Sequence, residues 1–571
     1  MSPDVSNTRR SSGRFFSAPS LNRLRHYNRG WLRPDIIAGI TVAAYLIPQT
    51  MAYAEIAGLS PVVGLWAMIP PILIYAVLGS SPQLSVGPES TTAVMTATAV
   101  APIAAGNGSD YAALCAAMAI MVGVICVIGF LGRLGFVANL LSRPILVGYL
   151  AGVALIMISG QLGKVTGLDV EGDSFIAEVT DWLSQLGDLH RPTTLLSIGV
   201  LIMLFGLAAL APKWPGPLIA VVVSVIVVAV FDLQDEGVSV VGQIPSGLPT
   251  PKVPDVAWAD LRDLLPAALG IALVGYSDNV LTARGFASKT KTRVDANQEL
   301  LALGTSNLGN GFFQAFPISS SGSRTTIGAS IGSRSQMFSL VALVAIVLVL
   351  FFFSGLLEQF PNAALGALVI WAATRLIDWG EFRTLFRFRK TEFLLAIATT
   401  AGVVLSDILV GVVLAIVLSV TDLIARIARP HDAVLGKVPE MSGYHDIEDY
   451  PEAETMPGLL VYRYDAPLFF ANADDFRDSL MEEVENSDDT CRWVVLQCEA
   501  IGRIDSTATQ VLRETINELH GDGILVGMTE LKWDLADQLR RIGILDIVGD
   551  ENVYTTIDDA ITAYRTSTPT S

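Results

Sequence analysis

The chain has 571 residues, 51% hydrophobic and 16% charged, with a mean hydropathy of +0.52. Apolar runs near the roughly 20 residues needed to cross hydrocarbon recur through most of it, which excludes a soluble globular protein and predicts a polytopic membrane domain. The net charge of −18 is uneven: residues 431 onward hold 29 Asp and Glu against 10 Lys and Arg, and the preceding part holds 26 against 27. The acidic tail reads as a solvated domain, and nothing in the balance points to nucleic acid.

Residues 1–30 are rich in Ser and Arg and lack an apolar core, so they read as a cytoplasmic tail with no signal peptide. The first span follows in Asp35–Ala54. Pro48 lies inside it and predicts a break, which frees backbone groups that need a cavity or neighbouring helices. Gln49 and Tyr53 are four apart on one helical face, where an amide and a phenol can bond an anion or join helices. Further on, Gly87-Pro-Glu-Ser-Thr-Thr92 interrupts an apolar segment. Its Gly and Pro set a helix start whose free amides, with the hydroxyls of Ser90 and Thr91, suit an anion. Glu89 in the same stretch is an anion itself; it can stay protonated, pair with an Arg, or carry a coupled proton.

Two long connections are acidic, Asp169–Asp188 and Asp232–Asp263. Basic residues collect instead at Arg9, Arg10 and Arg14, at Arg133 and Lys213, and in the groups Arg284/Lys289/Lys291/Arg293 and Arg383/Arg387/Arg389/Lys390. About fourteen spans put the basic connections and both termini in the cytoplasm, under the positive-inside rule. Asp278 is an ionisable group inside an apolar run, hence a candidate for binding Na⁺ or exchanging a proton. The stretch Ala315–Gly328 holds Pro317, a cluster of hydroxyls and Arg324. Pro317 suits the first turn of a helix, and the fork of Arg324 suits an oxyanion held with Gly322 and Ser323. Fourteen spans split into two sets of seven, the second inverted, with the broken stretches as half-helices in the third and tenth spans.

The transport part is therefore predicted over 31–430, all-α, followed by a linker at 431–457. Alternating strand and helix signals over 458–567 predict a small α/β domain. The four cysteines (Cys115, Cys126, Cys491, Cys498) lack metal spacing, there is no Walker glycine loop, and no Ser–His pair lies at membrane depth. No cofactor, metal site or enzymatic chemistry is implied.

Gly39–Ala54 followed by Ala57–Trp66 closely resembles the opening signature of the sulfate permease (SulP) anion transporter family. Gly79-Ser-Ser81, Gly87-Pro88, Asn297-Gln-Glu-Leu300 and Ser323-Arg-Thr325 match too, and Ile504-Asp-Ser-Thr-Ala508 resembles the signature turn of a STAS domain. The resemblance implies a seven-plus-seven inverted repeat and a homodimer, with the anion between the third and tenth spans near Gln49, Tyr53, Gly322, Ser323 and Arg324. Where many members carry Glu in the eighth span, this chain has Asp278, and some sodium-driven bicarbonate carriers share that Asp. In STAS domains of bacterial regulators the matching Ser is phosphorylated, making Ser506 or Thr507 a regulatory candidate beside a plain N-cap.

The combined expectation is a carrier in the cytoplasmic membrane that moves a small inorganic anion, sulfate first, by sliding a core domain against a gate domain. The coupling ion is H⁺ or Na⁺, through Glu89 or Asp278. A bicarbonate or dicarboxylate carrier is the alternative, and a membrane-anchored STAS regulator is an alternative of another class.

Overall fold

The computed structural model describes residues 18–107, 110–139, 143–172, 174–211, 214–243, 247–290, 292–406, 408–439, 441–487 and 491–567. Arg9, Arg10, Arg14, Lys213 and Lys291 lie outside the described residues. The chain forms two compact units, Met1–Ser419 and Val420–Ser571.

The first unit opens with α1 (Pro19–Arg25), α2 (Leu32–Ile56), α3 (Pro61–Trp66) and α4 (Ile69–Leu78), then a two-residue strand, β1 (Val86–Gly87). Next come α5 (Ser90–Asn107), α6 (Tyr111–Leu131), α7 (Arg143–Ser159), α8 (Leu162–Thr166), α9 (Phe175–Ser184), α10 (Arg191–Leu210) and α11 (Gly216–Val230). The second half holds α12 (Trp258–Thr290), α13 (Ala296–Phe312), β2 (Ser319–Ser320), α14 (Gly322–Ile331) and α15 (Met337–Phe352). It closes with α16 (Ser354–Leu357), α17 (Asn362–Thr374), α18 (Trp379–Phe388), α19 (Lys390–Leu405) and α20 (Ile408–Ala428), within which the two units divide.

Among the described residues, six helical stretches are long and apolar enough to cross a membrane by length and composition, and four shorter helices are apolar. Leu195, Ile202, Val344 and Phe351 are exposed on their helices, an apolar exterior that hydrocarbon can cover. The helices pack in two bundles. In the first, α6 lies against α12 and α13, α5 against α12, and α2 against α14 and α15. In the second, α7 lies against α17 and α19, and α10 against α11 and α17. In the first bundle α6 and α13 approach closely at Gly123 and Gly304. A Cβ on Gly304 would meet the Gly123 carbonyl oxygen at 2.9 Å, and one on Gly123 would meet the Gly304 oxygen at 2.8 Å. Small residues let membrane helices approach this closely, where packing rather than the hydrophobic effect holds them together.

Several sequence expectations shift. Residues 18–30 are not a loose tail: Ser20 Oγ of α1 donates to the Gly79 carbonyl at 2.7 Å, and Arg23 Nη1 to the Ser80 carbonyl at 2.8 Å. Pro48 does not break α2, which runs through it within a fully buried stretch, Tyr45–Ala54. Close packing there supports a helix that has lost the bond from residue 48 to the carbonyl of Ala44. Of the two helices expected as half-helices, α14 has 10 residues and α5 has 18. Pro317 precedes β2 instead of opening α14, whose N-cap is Ser321.

The second unit comprises β3 (Asp432–Gly436), β4 (His445–Asp446), β5 (Leu459–Tyr464), α21 (Ala473–Asn486), β6 (Trp493–Gln497), α22 (Ser506–Gly521), β7 (Leu525–Thr529), α23 (Trp533–Arg541), α24 (Ile544–Val548), β8 (Val553–Tyr554) and α25 (Ile557–Ser567). The sheet order is β4-β3-β5-β6-β7-β8, with β5 to β8 parallel and β3 and β4 antiparallel additions. The expected linker 431–457 thus contributes two strands. Strand alternation splits the core: Leu460, Tyr462 and Tyr464 face α21 and α22, and Leu459 and Val461 face α25. Asp505 is the N-cap of α22, accepting from Ala508 N at 2.9 Å, so Ser506 and Thr507 occupy the exposed first turn rather than the cap.

Burial pushes the Cys498 thiol up to about 12. At pH 8 it is then almost wholly protonated, so iodoacetamide should label it only after denaturation; rapid labelling of the folded domain would contradict this. Gly304→Leu drives a side chain into the Gly123 backbone and should cost at least about 1–3 kcal/mol. The detergent-purified variant should lose its monodisperse peak at a lower temperature than the parent. Identical melting would show that α6 and α13 do not need the contact.

Candidate functional site

The two interrupted stretches meet. β1 pairs antiparallel with β2, Val86 opposite Ser320 and Gly87 opposite Ser319. Backbone groups of both stretches find partners within the protein, as a site surrounded by lipid demands. Ser321 N donates to the Ser85 carbonyl at 2.9 Å, and Ser85 N to Thr325 Oγ1 at 3.0 Å. Asn307 of α13 accepts from Ile318 N at 2.8 Å and donates to the Ile318 carbonyl at 3.1 Å, and Asn310 donates to the carbonyls of Ala67 and Phe316. Gly87 has φ +156°, and a Cβ there would lie 2.2 Å from Met68 Sδ, so its place is steric rather than in the cavity wall.

Glu299 anchors the segment before β1. This fully buried carboxylate accepts from Ser80 Oγ at 2.7 Å, Ser80 N at 2.9 Å, Asn279 Nδ2 at 2.7 Å and Tyr75 OH at 3.0 Å. Asp35 does the same for the segment after α14, accepting from Arg334 N at 2.6 Å and Ser335 Oγ at 2.7 Å. Each buried acid is surrounded by neutral donors, which is how a carboxylate survives away from water.

Beside the paired strands lies a cavity of about 240 Å³, far above the roughly 10–15 Å³ that one water needs. Gln49, Tyr53, Glu89, Ser90, Thr91, Asp278, Gly322 and Ser323 all line it, so these sequence candidates come together. Gly87 and Arg324 are not in its wall. Arg324 is fully buried behind it: Nη1 donates to the Pro88 carbonyl at 2.8 Å and to Gln49 Oε1 at 3.3 Å, and Nε to Ser85 Oγ at 3.3 Å. The guanidinium therefore ties α14 to β1 and α2. It also fixes the amide of Gln49, whose Nε2 donates to Tyr53 OH at 2.9 Å.

Glu89 does not pair with Arg324. Its Oε2 accepts from Thr91 N at 2.7 Å and its Oε1 from Ser90 Oγ at 2.5 Å, so the carboxylate occupies the start of α5. Across the cavity, Asp278 Oδ2 accepts from Ser320 Oγ at 3.4 Å. The first bundle supplies all these polar groups. The second bundle and the turn after α17 contribute Leu146, Leu150, Ala372, Leu376 and one charge, Arg375. Ser319, Ser320 and Ser321, part of the hydroxyl cluster marked in the sequence, also line the cavity, as do Tyr45 and Arg375, which the sequence did not single out. Tyr45 had a signal, since it stands four residues before Gln49 on the same face. Arg375, at the end of an apolar helix, reads in sequence as an ordinary loop cation.

The sulfate permease family profile matches residues 32–399 and the STAS domain profile residues 450–560. A probable sulfate transporter of Mycobacterium tuberculosis is 51% identical over 548 residues, covering 96% of this chain and 98% of its own length. The chloroplastic sulfate transporter 4.1 of Arabidopsis thaliana is 29% identical over 550 residues, covering 93% and 80%. Among solved structures, the murine Solute Carrier 26 family member A9 anion transporter in its inward-facing state superposes with a TM-score of 0.88 at 22% identity, covering 98% of this chain and 97% of that one. The transmembrane domain of the cyanobacterial bicarbonate transporter BicA gives 0.60 at 21%, covering 68% and 98%. With matched profiles over both units and that shared fold, the chain belongs to the sulfate permease family of multi-pass membrane transporters and ends in a STAS domain.

Proposed function

We propose that this protein is a secondary transporter of a small inorganic oxyanion, sulfate first, in the cytoplasmic membrane, with both termini inside. The observation that carries the reading is the division of the cavity wall: a polar set on one bundle faces a wall on the other that is apolar except for Arg375. Such a set can travel with its bundle and expose the anion to each side in turn, the rigid-body sliding by which carriers alternate access. The relatives named as sulfate transporters support sulfate as the first substrate to test.

In this reading the anion lies against the first amides of α14, at Gly322 and Ser323, with the hydroxyls of Ser90, Thr91 and Tyr53 around it. Arg324 acts from behind, its charge felt through a medium of low dielectric. Glu89 holds the amide of Thr91 that a bound anion would use, so anion and carboxylate compete. Protonating Glu89 removes the competitor and releases that amide, which couples proton entry to anion entry. Asp278 favours a second reading: its carboxylate beside Ser320 Oγ is a place for Na⁺, with bicarbonate or a dicarboxylate as cargo.

Proteoliposomes should take up sulfate faster with acid outside, since protons then enter with it. Glu89→Gln should keep uptake but lose the acceleration. Uptake driven by Na⁺ alone at constant pH would overturn the proton reading in favour of Asp278. Arg324→Ala should abolish uptake and also lower the melting temperature, because the Pro88 carbonyl and Gln49 Oε1 lose a buried donor at about 1–3 kcal/mol each. Unchanged melting would contradict the tie between α14 and β1.

A further inference from the structure

A second cavity, of about 640 Å³, adjoins the first and runs between α2 and α14 on one side and α10, α11 and α17 on the other. The two cavities share Tyr45, Ser323 and Arg375. On α2, Tyr53, Gln49, Tyr45 and Thr41 follow at four-residue intervals, a polar stripe about 18 Å long at 1.5 Å per residue. The upper members line the first cavity and Thr41 the second, so the stripe is continuous through the shared neck. The second cavity ends at Trp214, Pro215 and the start of α11.

Arg375 is the one cation in the wall of either cavity among the described residues. It follows the last residue of α17, where positive charge is favourable, and its guanidinium stacks over the Trp371 ring at 4.3 Å. That contact holds the guanidinium at the neck, where it lines both cavities. In the first cavity it faces two carboxylates, Glu89 and Asp278, which would repel an arriving anion.

We propose that Arg375 is a docking residue for an anion passing between the two cavities, and that it determines preference for a divalent oxyanion over a monovalent one. The inference rests on the transport reading above and deepens it. Because Arg375 follows α17 while the polar set rides on the first bundle, the contact exists only while the bundles stand as described. It attracts the anion at the neck and stays behind when the first bundle slides. A dianion gains twice the Coulombic attraction of a monoanion from the same guanidinium.

The test is initial-rate uptake of sulfate, and separately of nitrate, into proteoliposomes holding the full-length protein or a variant. Arg375→Gln should raise the sulfate KM about tenfold, the lower end of what electrostatic steering produces. Its kcat should stay within about twofold, the nitrate KM should change far less, and Arg375→Lys should recover most of the sulfate affinity. Trp371→Phe, which keeps an aromatic ring under the guanidinium, controls for lost stacking and should stay near the parent. Equal sulfate KM in Arg375→Gln and the parent would overturn the proposal, as would equal losses for both anions or a fall in kcat alone. If the parent itself moves no anion, the transport reading fails, a result distinct from any of these.

Discussion

Everything at the candidate site depends on one constraint: an interrupted backbone inside a membrane must find all its hydrogen-bond partners within the protein. The β1–β2 pair is the solution. It joins backbone of the two broken segments to one another, and side chains from neighbouring helices take further groups, leaving the first amides of α14 to face the cavity. Asn307 and Asn310 serve the approach to β2, Glu299 the approach to β1, and Asp35 the segment beyond α14. Only with the backbone fixed in this way can the start of α14 stand beside that of α5 along one cavity.

Arg324 shows how the same constraint redistributes chemistry. A guanidinium in an apolar run invites the reading that it grips the ligand. Instead three of its contacts go to Pro88, Ser85 and Gln49, binding the two halves together and orienting the amide that in turn holds Tyr53. The cation in the cavity wall is Arg375, at the end of a helix in the other bundle. The division of labour is physical: the fully buried guanidinium of Arg324 is held by fixed partners at Nη1 and Nε, whereas Arg375 is exposed at the neck and open to a passing ligand.

The architecture was largely legible from residues alone. Apolar runs marked the spans, and the two interruptions at Gly87–Thr92 and Ala315–Gly328 marked the segments that meet. The i, i+4 spacing of Gln49 and Tyr53 put them on one face, and strand alternation found the second domain. What escaped was decided by three-dimensional neighbours. Pro48 leaves α2 continuous because packing on all sides compensates for one lost bond. Pro317 sits ahead of β2, a strand too short for any pattern to announce. The supposed linker joins the sheet through β3, which pairs with β5, and the two-residue edge strand β4, which pairs with β3. Arg375 has no local sequence mark at all, since its significance comes from Tyr45 and Ser323 across the neck.

The central claim is that an oxyanion rests where the broken segments meet. Selenate, which matches sulfate in charge and shape and scatters anomalously, locates it directly in a structure of the anion-bound protein. The account predicts a selenium peak inside the cavity, within hydrogen-bond reach of the Gly322 and Ser323 amides and close to Tyr53. A peak elsewhere, or none in the cavity at saturating selenate, would contradict it.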